Sequence, residues 1–267
     1  MKALLILLVV ALAVSSIGWK KFIYFISIGY GFSIAACAIA MAVIYRHVLT
    51  VPTALLCAIL FVYGCRLGGY LLIRELKSAS YRKVLSESTK EEDYPLGVTA
   101  VIWVSCAILY VAEVSPVAFM LGNKEGGAPV NALWAWIGAA VMILGVCLES
   151  VADAQKSAAK KVNPKSFVST GLYRMVRCPN YFGEMVTWTG CLLVCFGACC
   201  NVWQWILAIV GYLGIVYIMF SGARRLEIRQ NRNYGSDPAY QAYVARTPIL
   251  VPFLPIYSVE RHGWLRG

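Results

Sequence analysis

The stretch NALWAWIGAAVMILGVCLESVA, residues 131–152, decides the fold class, because it stays apolar over the length of a membrane span and first meets a charge at Glu149. A helical span needs about 20 mostly apolar residues. Six further stretches qualify, at about 3–18, 22–45, 51–73, 97–121, 183–200 and 202–222. With 60% hydrophobic and 14% charged residues, the composition excludes a soluble domain. We therefore predict an all-α polytopic membrane protein with about seven transmembrane helices, forming a single membrane domain over residues 1–267.

Lysine and arginine are divided unevenly between the two sides of this predicted bundle. Of the 24, 20 follow spans one, three, five and seven, Arg66 lies inside span three, and only Lys2, Arg46 and Lys124 fall on the other side. Positively charged loops stay in the cytoplasm, so we expect the N-terminus outside and the C-terminus in the cytoplasm. We expect the host membrane to be a bacterial inner membrane or an endoplasmic reticulum, and the sequence does not distinguish the two. An alternative for the first stretch is a cleaved signal peptide, since Lys2 precedes an apolar core and small residues.

The net charge of +11 follows largely from this topology, which argues against a nucleic-acid partner. The basic surplus on residues 153–182 and on the tail also suits an anionic ligand or anionic lipid headgroups. Ten cysteines, with only His47 and His262 and no paired cysteine spacing, predict no metal site.

Polar residues occur inside or at the end of two apolar spans of the N-terminal half. Arg66 lies inside span three, and Tyr70 and Arg74 follow at i+4 and i+8, so all three share one helical face. This face either lines a polar cavity or holds an arginine that snorkels or pairs with Glu75. Glu113, inside span four, is either paired, protonated as a general acid, or solvated at the outer end of its span. We take Arg66, Tyr70 and Glu113 as candidate catalytic residues on chemical grounds.

The end of span five carries two carboxylates on one helical face, Glu149 and Asp153, at i and i+4. They can accept hydrogen bonds from sugar hydroxyls or an adenine amine, or they can pair with Lys156 and Lys160.

The segment GLYRMVRCPNYFGE, residues 171–184, concentrates polar groups where span six begins. Asn163–Pro164 and residues 169–171 break the helical pattern, and Pro179 is expected to open the next helix. A helix start offers free backbone N–H groups, and guanidinium groups suit phosphate. Arg174 and Arg177 thus form a candidate phosphate cradle; the alternative is that they anchor the interface. The tail beyond span seven, with its proline-rich run at 252–255, is expected to fold back on the membrane surface.

The segment GLYRMVRCPNYFGEMVTWTG, residues 171–190, resembles the hinge motif of the steroid 5-alpha-reductase-like membrane proteins, in their little-characterised branch. The E-x-x-A-D-x-Q element at 149–155, the R-L-G-x-Y-x-x-x-R element at 66–74 and the R-R-x-E tail element at 224–227 fall in the family's order. The resemblance is strongest over about 145–255. One departure is Cys178, which stands where the family has histidine. In addition, the Gln-Glu pair that polarises the carbonyl in steroid reductases has no match in the first two spans.

The resemblance implies a membrane reductase that binds NADPH in its C-terminal half, residues 126–267, with substrate-side helices in residues 1–125. Hydride would pass to a carbon–carbon double bond conjugated to a carbonyl, in an apolar lipid, sterol or isoprenoid. By motif position, the implied cofactor-binding residues are Glu149, Asp153, Arg174, Arg177, Asn180, Tyr181, Glu184, Arg224, Arg225 and Glu227. Two other functions stay open: an S-adenosylmethionine-dependent methyltransferase similar to isoprenylcysteine carboxyl methyltransferase, and a non-catalytic lipid-binding protein.

Overall fold

The protein is described by a computed structural model that covers residues 2–77 and 95–265. Within these ranges the regular structure is helical, and seven helical segments are long and apolar enough to cross a membrane. The predicted fold class, an all-α multi-pass membrane protein, is therefore confirmed. Four of the basic residues used to predict the orientation, Arg82, Lys83, Lys90 and Arg266, lie outside the described residues.

The helices of the described residues follow one another with short connections. The α-helices are α1 (Lys2–Ser15), α2 (Ile28–Ile44), α3 (Val51–Lys77), α4 (Leu96–Glu125), α5 (Ala132–Val162), α6 (Pro179–Leu193), α7 (Cys195–Ala198), α8 (Val202–Tyr234) and α9 (Pro238–Arg246). Short 3₁₀ turns cover Ser16–Trp19, Phe22–Tyr24 and Gly171–Arg174.

Two helices run well past the apolar stretches that predicted them. Helix α5 has 31 residues and α8 has 33, where the apolar runs ended near 152 and 222. At 1.5 Å per residue these helices are about 46 and 50 Å long, against a hydrocarbon core of about 30 Å. Their last turns are rich in alanine, glutamine, lysine and arginine, which favour helix in water as well. Helix α6 begins at Pro179 as expected, because proline fits the first position of a helix.

The chain forms two compact units. The N-terminal unit comprises Met1–Ala139 with Cys191–Tyr212, and the C-terminal unit comprises Ala140–Gly190 with Leu213–Gly267. Helices α5, α6 and α8 therefore each contribute residues to both. The assignment of substrate to residues 1–125 and cofactor to 126–267 stays a prediction.

In the N-terminal unit, α2 and α3 pack backbone against backbone. A Cβ on Gly64 would lie 2.4 Å from the carbonyl oxygen of Gly31, and a Cβ on Gly31 would lie 2.6 Å from the amide nitrogen of Gly68. Small residues four apart permit this close approach in membranes, where packing rather than water exclusion holds helices together. Gly68 thus lies in the contact between α2 and α3, whereas Gly69 has nothing within 4 Å of its Cβ position.

Helix α4 contains a proline within its span. Pro116 has no N–H to donate to the carbonyl of Ala112, and the hydroxyl of Ser115 donates to that carbonyl at 2.8 Å. The Ser115 side chain therefore replaces a backbone hydrogen bond of the helix. This irregularity of the helix lies next to Glu113, a candidate catalytic residue.

We expect Gly64→Ala to destabilise the protein by about 1–3 kcal/mol, because the added methyl group must separate α2 from α3. Gly69→Ala is the matched control, since it makes the same change on the same helix in open space. Thermal unfolding in detergent checks this expectation. Equal unfolding midpoints for the two variants would contradict the packing described here.

Candidate functional site

The C-terminal unit buries a group of charged side chains. Four carboxylic residues and one arginine are almost inaccessible to solvent: Glu149, Asp153, Glu184, Glu227 and Arg177. Burying a charged group is costly unless the group is paired or hydrogen-bonded, so such a cluster is a candidate functional site. All five belong to the set that the sequence predicted for cofactor binding, so the sequence located the polar interior of this unit.

A close crossing of α5 and α6 brings two of these acids to the same region. A Cβ on Gly145 would lie 2.3 Å from the amide nitrogen of Thr187, and a Cβ on Gly183 would lie 2.6 Å from that of Glu149. Only glycine permits this approach, so the backbone of Glu149 lies against Gly183, the residue before Glu184. The candidate acids of α5 and α6 are thus positioned by helix packing and not by a flexible loop.

The segment between α5 and α6 is fixed to α5 by a glycine. Gly171 has φ of +61°, in the left-handed region that favours glycine, and its Cβ position lies 2.4 Å from Oε1 of Gln155. That same oxygen accepts the backbone N–H of Leu172 at 2.9 Å. Gly171 of the hinge motif and Gln155 of the upstream motif therefore together fix the position of the hinge against α5.

The chain after α9 folds back on this hinge as a short paired segment. The backbone N–H of Arg177 donates to the carbonyl of Pro248 at 2.9 Å, and that of Cys178 donates to Ile249 at 3.0 Å. The hydroxyl of Tyr243 donates to the carbonyl of Tyr173 at 2.7 Å. The tail is therefore an integral part of the C-terminal unit.

A buried ion pair joins the hinge to α8. Nη2 of Arg177 lies 2.7 Å from Oε1 of Glu227, and both side chains are 1% exposed. The other oxygen of Glu227 accepts the backbone N–H of Val259 at 2.8 Å, and Arg177 also donates to the carbonyl of Tyr257. The pair thus ties together the hinge, α8 and the tail. Nε and Nη1 of Arg177 are buried without a hydrogen-bond partner in the part of the chain described.

Two oxygen atoms near the start of α6 and on α8 are buried without partners among the described residues: Oδ1 of Asn180 and Oγ of Ser221. Buried polar atoms are nearly always hydrogen-bonded, so each exception requires an explanation, and capacity to bind a ligand is one. Tyr181, the next residue, packs its ring 3.3 Å from the Cβ position of Gly222 on α8. Asn180 therefore combines a predicted site position with an unmet acceptor.

The remaining predicted cofactor residues are placed elsewhere in the C-terminal unit. Nε of Arg224 donates to the carbonyl of Glu260 at 2.9 Å, so this arginine holds the tail. Arg174 and Arg225 are exposed. Arg174 is thus exposed to solvent, whereas Arg177 is buried and paired with Glu227. The two arginines therefore do not form the single phosphate cradle that the sequence predicted.

The N-terminal unit carries the predicted catalytic residues. Tyr70 and Arg74 share a face of α3, with the Arg74 guanidinium carbon 5.9 Å from the Tyr70 ring centre, as the helical spacing predicts. Arg66 is half-buried one turn earlier. Glu75, the alternative partner proposed for Arg66, accepts a hydrogen bond from Lys21 at 2.6 Å and another from Tyr24.

Glu113 is 3% exposed, which excludes one of the three alternatives, that it is solvated at the outer end of its span. The physical reason is tight packing of the neighbouring backbone. A Cβ on Gly211 would lie 2.5 Å from the carbonyl carbon of Ala112, and the Cys191 thiol donates to the carbonyl of Glu113 at 3.4 Å.

Sequence reasoning missed a pair of buried tyrosines in the same unit. The hydroxyls of Tyr30 and Tyr63 lie 3.0 Å apart, and the ring of Tyr30 lies 5.1 Å from that of Tyr110. Tyr110 also donates its hydroxyl to the carbonyl of Phe25. A tyrosine hydroxyl in the middle of a membrane span needs a hydrogen-bond partner. This requirement is the feature of the sequence that could have indicated the pair.

Cys178, which stands where the resemblance leads one to expect histidine, is sequestered. Its side chain is buried, and burial raises the pKa of its thiol to about 12. A neutral buried thiol neither donates strongly nor reacts as a nucleophile. At this position the chain thus has a packed residue with no acid–base role at neutral pH.

The sequence pattern of a family described as a protein of unknown function (DUF1295) matches residues 14–247. The chain therefore belongs to this family of membrane proteins, which is related to steroid 5-alpha-reductase. No curated protein and no solved structure gives a significant match to the chain.

We expect Glu227→Gln to destabilise the C-terminal unit by about 3–5 kcal/mol, because it leaves the Arg177 cation buried without its counter-ion. Arg177→Met with Glu227→Leu, which removes both charges, should recover much of the loss. Thermal unfolding of Arg177→Met, Glu227→Leu and the double variant measures this coupling, with exposed Arg232→Gln as a neutral control. Additive losses in the double variant would contradict an ion pair.

The Cys178 thiol should resist alkylation in the folded protein, since thiolate is the reactive form and burial keeps the pKa about 12. At a pH of about 7.5, maleimide should label the exposed Cys200. It should leave Cys178 unmodified until the protein is denatured. Peptide mass spectrometry reads both sites in one sample. Rapid labelling of Cys178 without denaturant would show that the hinge is open.

Proposed function

We propose that this member of the DUF1295 family is a membrane-embedded, NADPH-dependent reductase that acts on a carbon–carbon double bond conjugated to a carbonyl in an apolar lipid-like substrate. The observation that carries the proposal is the buried polar interior of the C-terminal unit, with unmet donors on Arg177 and an unmet acceptor on Asn180. The family's relation to steroid 5-alpha-reductase supports the same reaction class.

The available groups of the C-terminal unit fit a ligand that offers both acceptors and donors. Nε and Nη1 of Arg177 have hydrogens to give, which suits phosphate oxygens. Oδ1 of Asn180 needs a donor, and the amide or amine groups and ribose hydroxyls of NADPH are donors. The dinucleotide therefore matches the chemistry of the residues present.

We assign Asn180, Glu184, Glu149 and Asp153 to hydrogen bonds with the uncharged parts of the cofactor. Carboxylates repel phosphate, so these acids suit ribose hydroxyls and amines, whereas Arg177 suits an anionic group. Glu227 neutralises part of the Arg177 charge and fixes its orientation. NADPH, when bound, would supply the hydride.

We assign recognition of the substrate carbonyl to the N-terminal unit. Reduction of such a double bond places hydride on the beta carbon and a proton on the alpha carbon, and donors to the carbonyl oxygen lower the barrier. Arg66 and Tyr70 are donors on one face of α3, and we assign the buried Glu113 of α4 as the proton donor. An apolar substrate matches a unit whose other buried side chains are mainly hydrocarbon.

One observation favours a second candidate, an S-adenosylmethionine-dependent methyltransferase. The buried set holds four carboxylic residues against one arginine, and a sulfonium cation would be attracted to that excess. S-Adenosylmethionine also carries an adenine amine and ribose hydroxyls, but no phosphate to use the free N–H groups of Arg177.

Purified protein should be stabilised against thermal unfolding by NADPH and not by S-adenosylmethionine, because a ligand that binds the native state raises its stability. Asn180→Ala should reduce the NADPH-induced shift with little change in the midpoint of the unliganded protein. The exposed Asn233→Ala on α8 is a control of the same chemistry. Stabilisation by S-adenosylmethionine alone would select the methyltransferase, and stabilisation by neither would refute both.

Arg66→Met should abolish turnover of apolar enones at saturating NADPH while the cofactor-induced thermal shift is kept. Arg46→Met, an exposed arginine between α2 and α3, is the control. Consumption of NADPH with a set of isoprenoid and sterol enones measures the activity. Full turnover by Arg66→Met would remove this residue from the proposed carbonyl site.

A further inference from the structure

The C-terminal unit carries a projecting loop with an exposed aromatic residue at its tip. The loop spans residues 250–255 and is closed by a hydrogen bond of 2.8 Å from the N–H of Ile249 to the carbonyl of Ile256. Ile249 and Leu250 are buried and anchor its base, whereas Phe253 is 95% exposed. The loop is thus firmly attached at its base and apolar at its end.

The conformation of Phe253 is costly for the fold. Its φ is +66°, and no other non-glycine residue among those described has positive φ. A bulky residue is rarely found in this region, and outliers of this kind concentrate at functional positions. The side chain of Phe253 is exposed and does not pack in the protein core. Packing within the chain therefore does not account for the positive φ.

Two exposed arginines lie beside this loop. Arg174 and Arg246 both line a cavity of about 380 Å³ that Phe253 and Leu254 also line, and both line a second cavity of about 310 Å³ with Ser169 and Thr247. Neither arginine makes an ion pair or a side-chain hydrogen bond with the described residues. Both guanidinium groups are therefore available to an anion.

The apolar surface continues around the arginines. Met175 is 49% exposed and Tyr257 is 41% exposed, and both line the larger cavity. The hinge that carries Arg174 leads directly into Pro179, the first residue of a helix long and apolar enough to cross a membrane. An apolar tip and two cations next to a helix entering the membrane match the layered chemistry of a lipid surface, with acyl chains below anionic headgroups.

We propose that this surface, defined by Arg174, Arg246, Phe253 and Leu254, binds the phosphate headgroup of an anionic phospholipid while Phe253 inserts among the acyl chains. The shared chemistry is that of a phosphate group, and the apolar tip selects the lipid over a soluble phosphate. The proposal does not depend on the proposed reductase activity, and it gives Arg174 a role apart from the buried polar interior. Basic residues near a membrane surface each contribute measurably to binding of anionic lipid.

Native mass spectrometry of the full chain in detergent tests the proposal with two probes, palmitoyl-oleoyl phosphatidylglycerol and the matching phosphatidylcholine. The wild type should bind the first molecule of phosphatidylglycerol about 30-fold more tightly than phosphatidylcholine, as expected for two basic contacts. Arg174→Gln with Arg246→Gln should remove this preference. The control variant, Arg232→Gln with Arg261→Gln, removes the same amount of charge at other exposed positions. It should keep the preference for phosphatidylglycerol.

Phe253→Ser should weaken the binding of both lipids, because it removes the apolar contact and leaves the arginines in place. A wild-type preference retained by the Arg174→Gln and Arg246→Gln variant would overturn the proposal, as would equal binding of the two lipids by the wild type. Competition by NADPH is the third arm. Displacement of phosphatidylglycerol by NADPH would assign the arginines to the nucleotide and would also overturn the lipid site, whereas absence of NADPH binding would bear only on the reductase.

Discussion

The ion pair between Arg177 and Glu227 is the interaction on which the C-terminal unit depends. Both side chains are buried, and charges removed from water must be paired and hydrogen-bonded to be tolerated. Glu227 meets this requirement with two partners, the guanidinium of Arg177 and the N–H of Val259. One carboxylate on α8 thereby determines where the hinge before α6 and the tail after α9 must lie. The same ion pair leaves Nε and Nη1 of Arg177 without acceptors among the described residues. The contact that stabilises the unit thus also orients the two N–H groups that we propose bind the cofactor.

The polar residues of the chain fall into three kinds of environment, and each suits different chemistry. The interior of the C-terminal unit holds four buried acids, together with Arg177 and Asn180, each of which has a buried atom without a hydrogen-bond partner among the described residues. The N-terminal unit holds the arginine–tyrosine face of α3, buried Glu113 and the tyrosine pair. The exposed surface around Phe253 holds cations beside apolar side chains. A cofactor, an apolar carbonyl compound and an anionic lipid are the respective ligands that we propose.

The sequence predicted the features that depend on local chemistry. About 20 apolar residues suffice to indicate a span, and proline suffices to place the start of α6, so seven spans and Pro179 were found. Helix ends beyond the membrane were missed in α5 and α8, because a helix continues in water after its apolar run has stopped. The buried acids were located by motif and spacing, which report which residues share a face.

Long-range partners could not be obtained in this way. Nothing near Arg177 in the sequence indicates that its counter-ion is Glu227, fifty positions later, or that the tail carbonyl of Tyr257 completes the site. The burial of Glu113 depends on Gly211 from another helix, and the pairing of Tyr30 with Tyr63 depends on how α2 crosses α3. The unusual backbone of Phe253 leaves no trace in a single sequence, because phenylalanine gives no sign of positive φ.

The account is tested most directly by equilibrium dialysis of radiolabelled NADPH against the purified protein. We expect saturable binding of one NADPH per chain, with no competition from excess S-adenosylmethionine and with weaker binding to the Asn180→Ala variant. Absence of saturable binding, or full displacement of NADPH by S-adenosylmethionine, would contradict the claim that the buried interior of the C-terminal unit is a dinucleotide site.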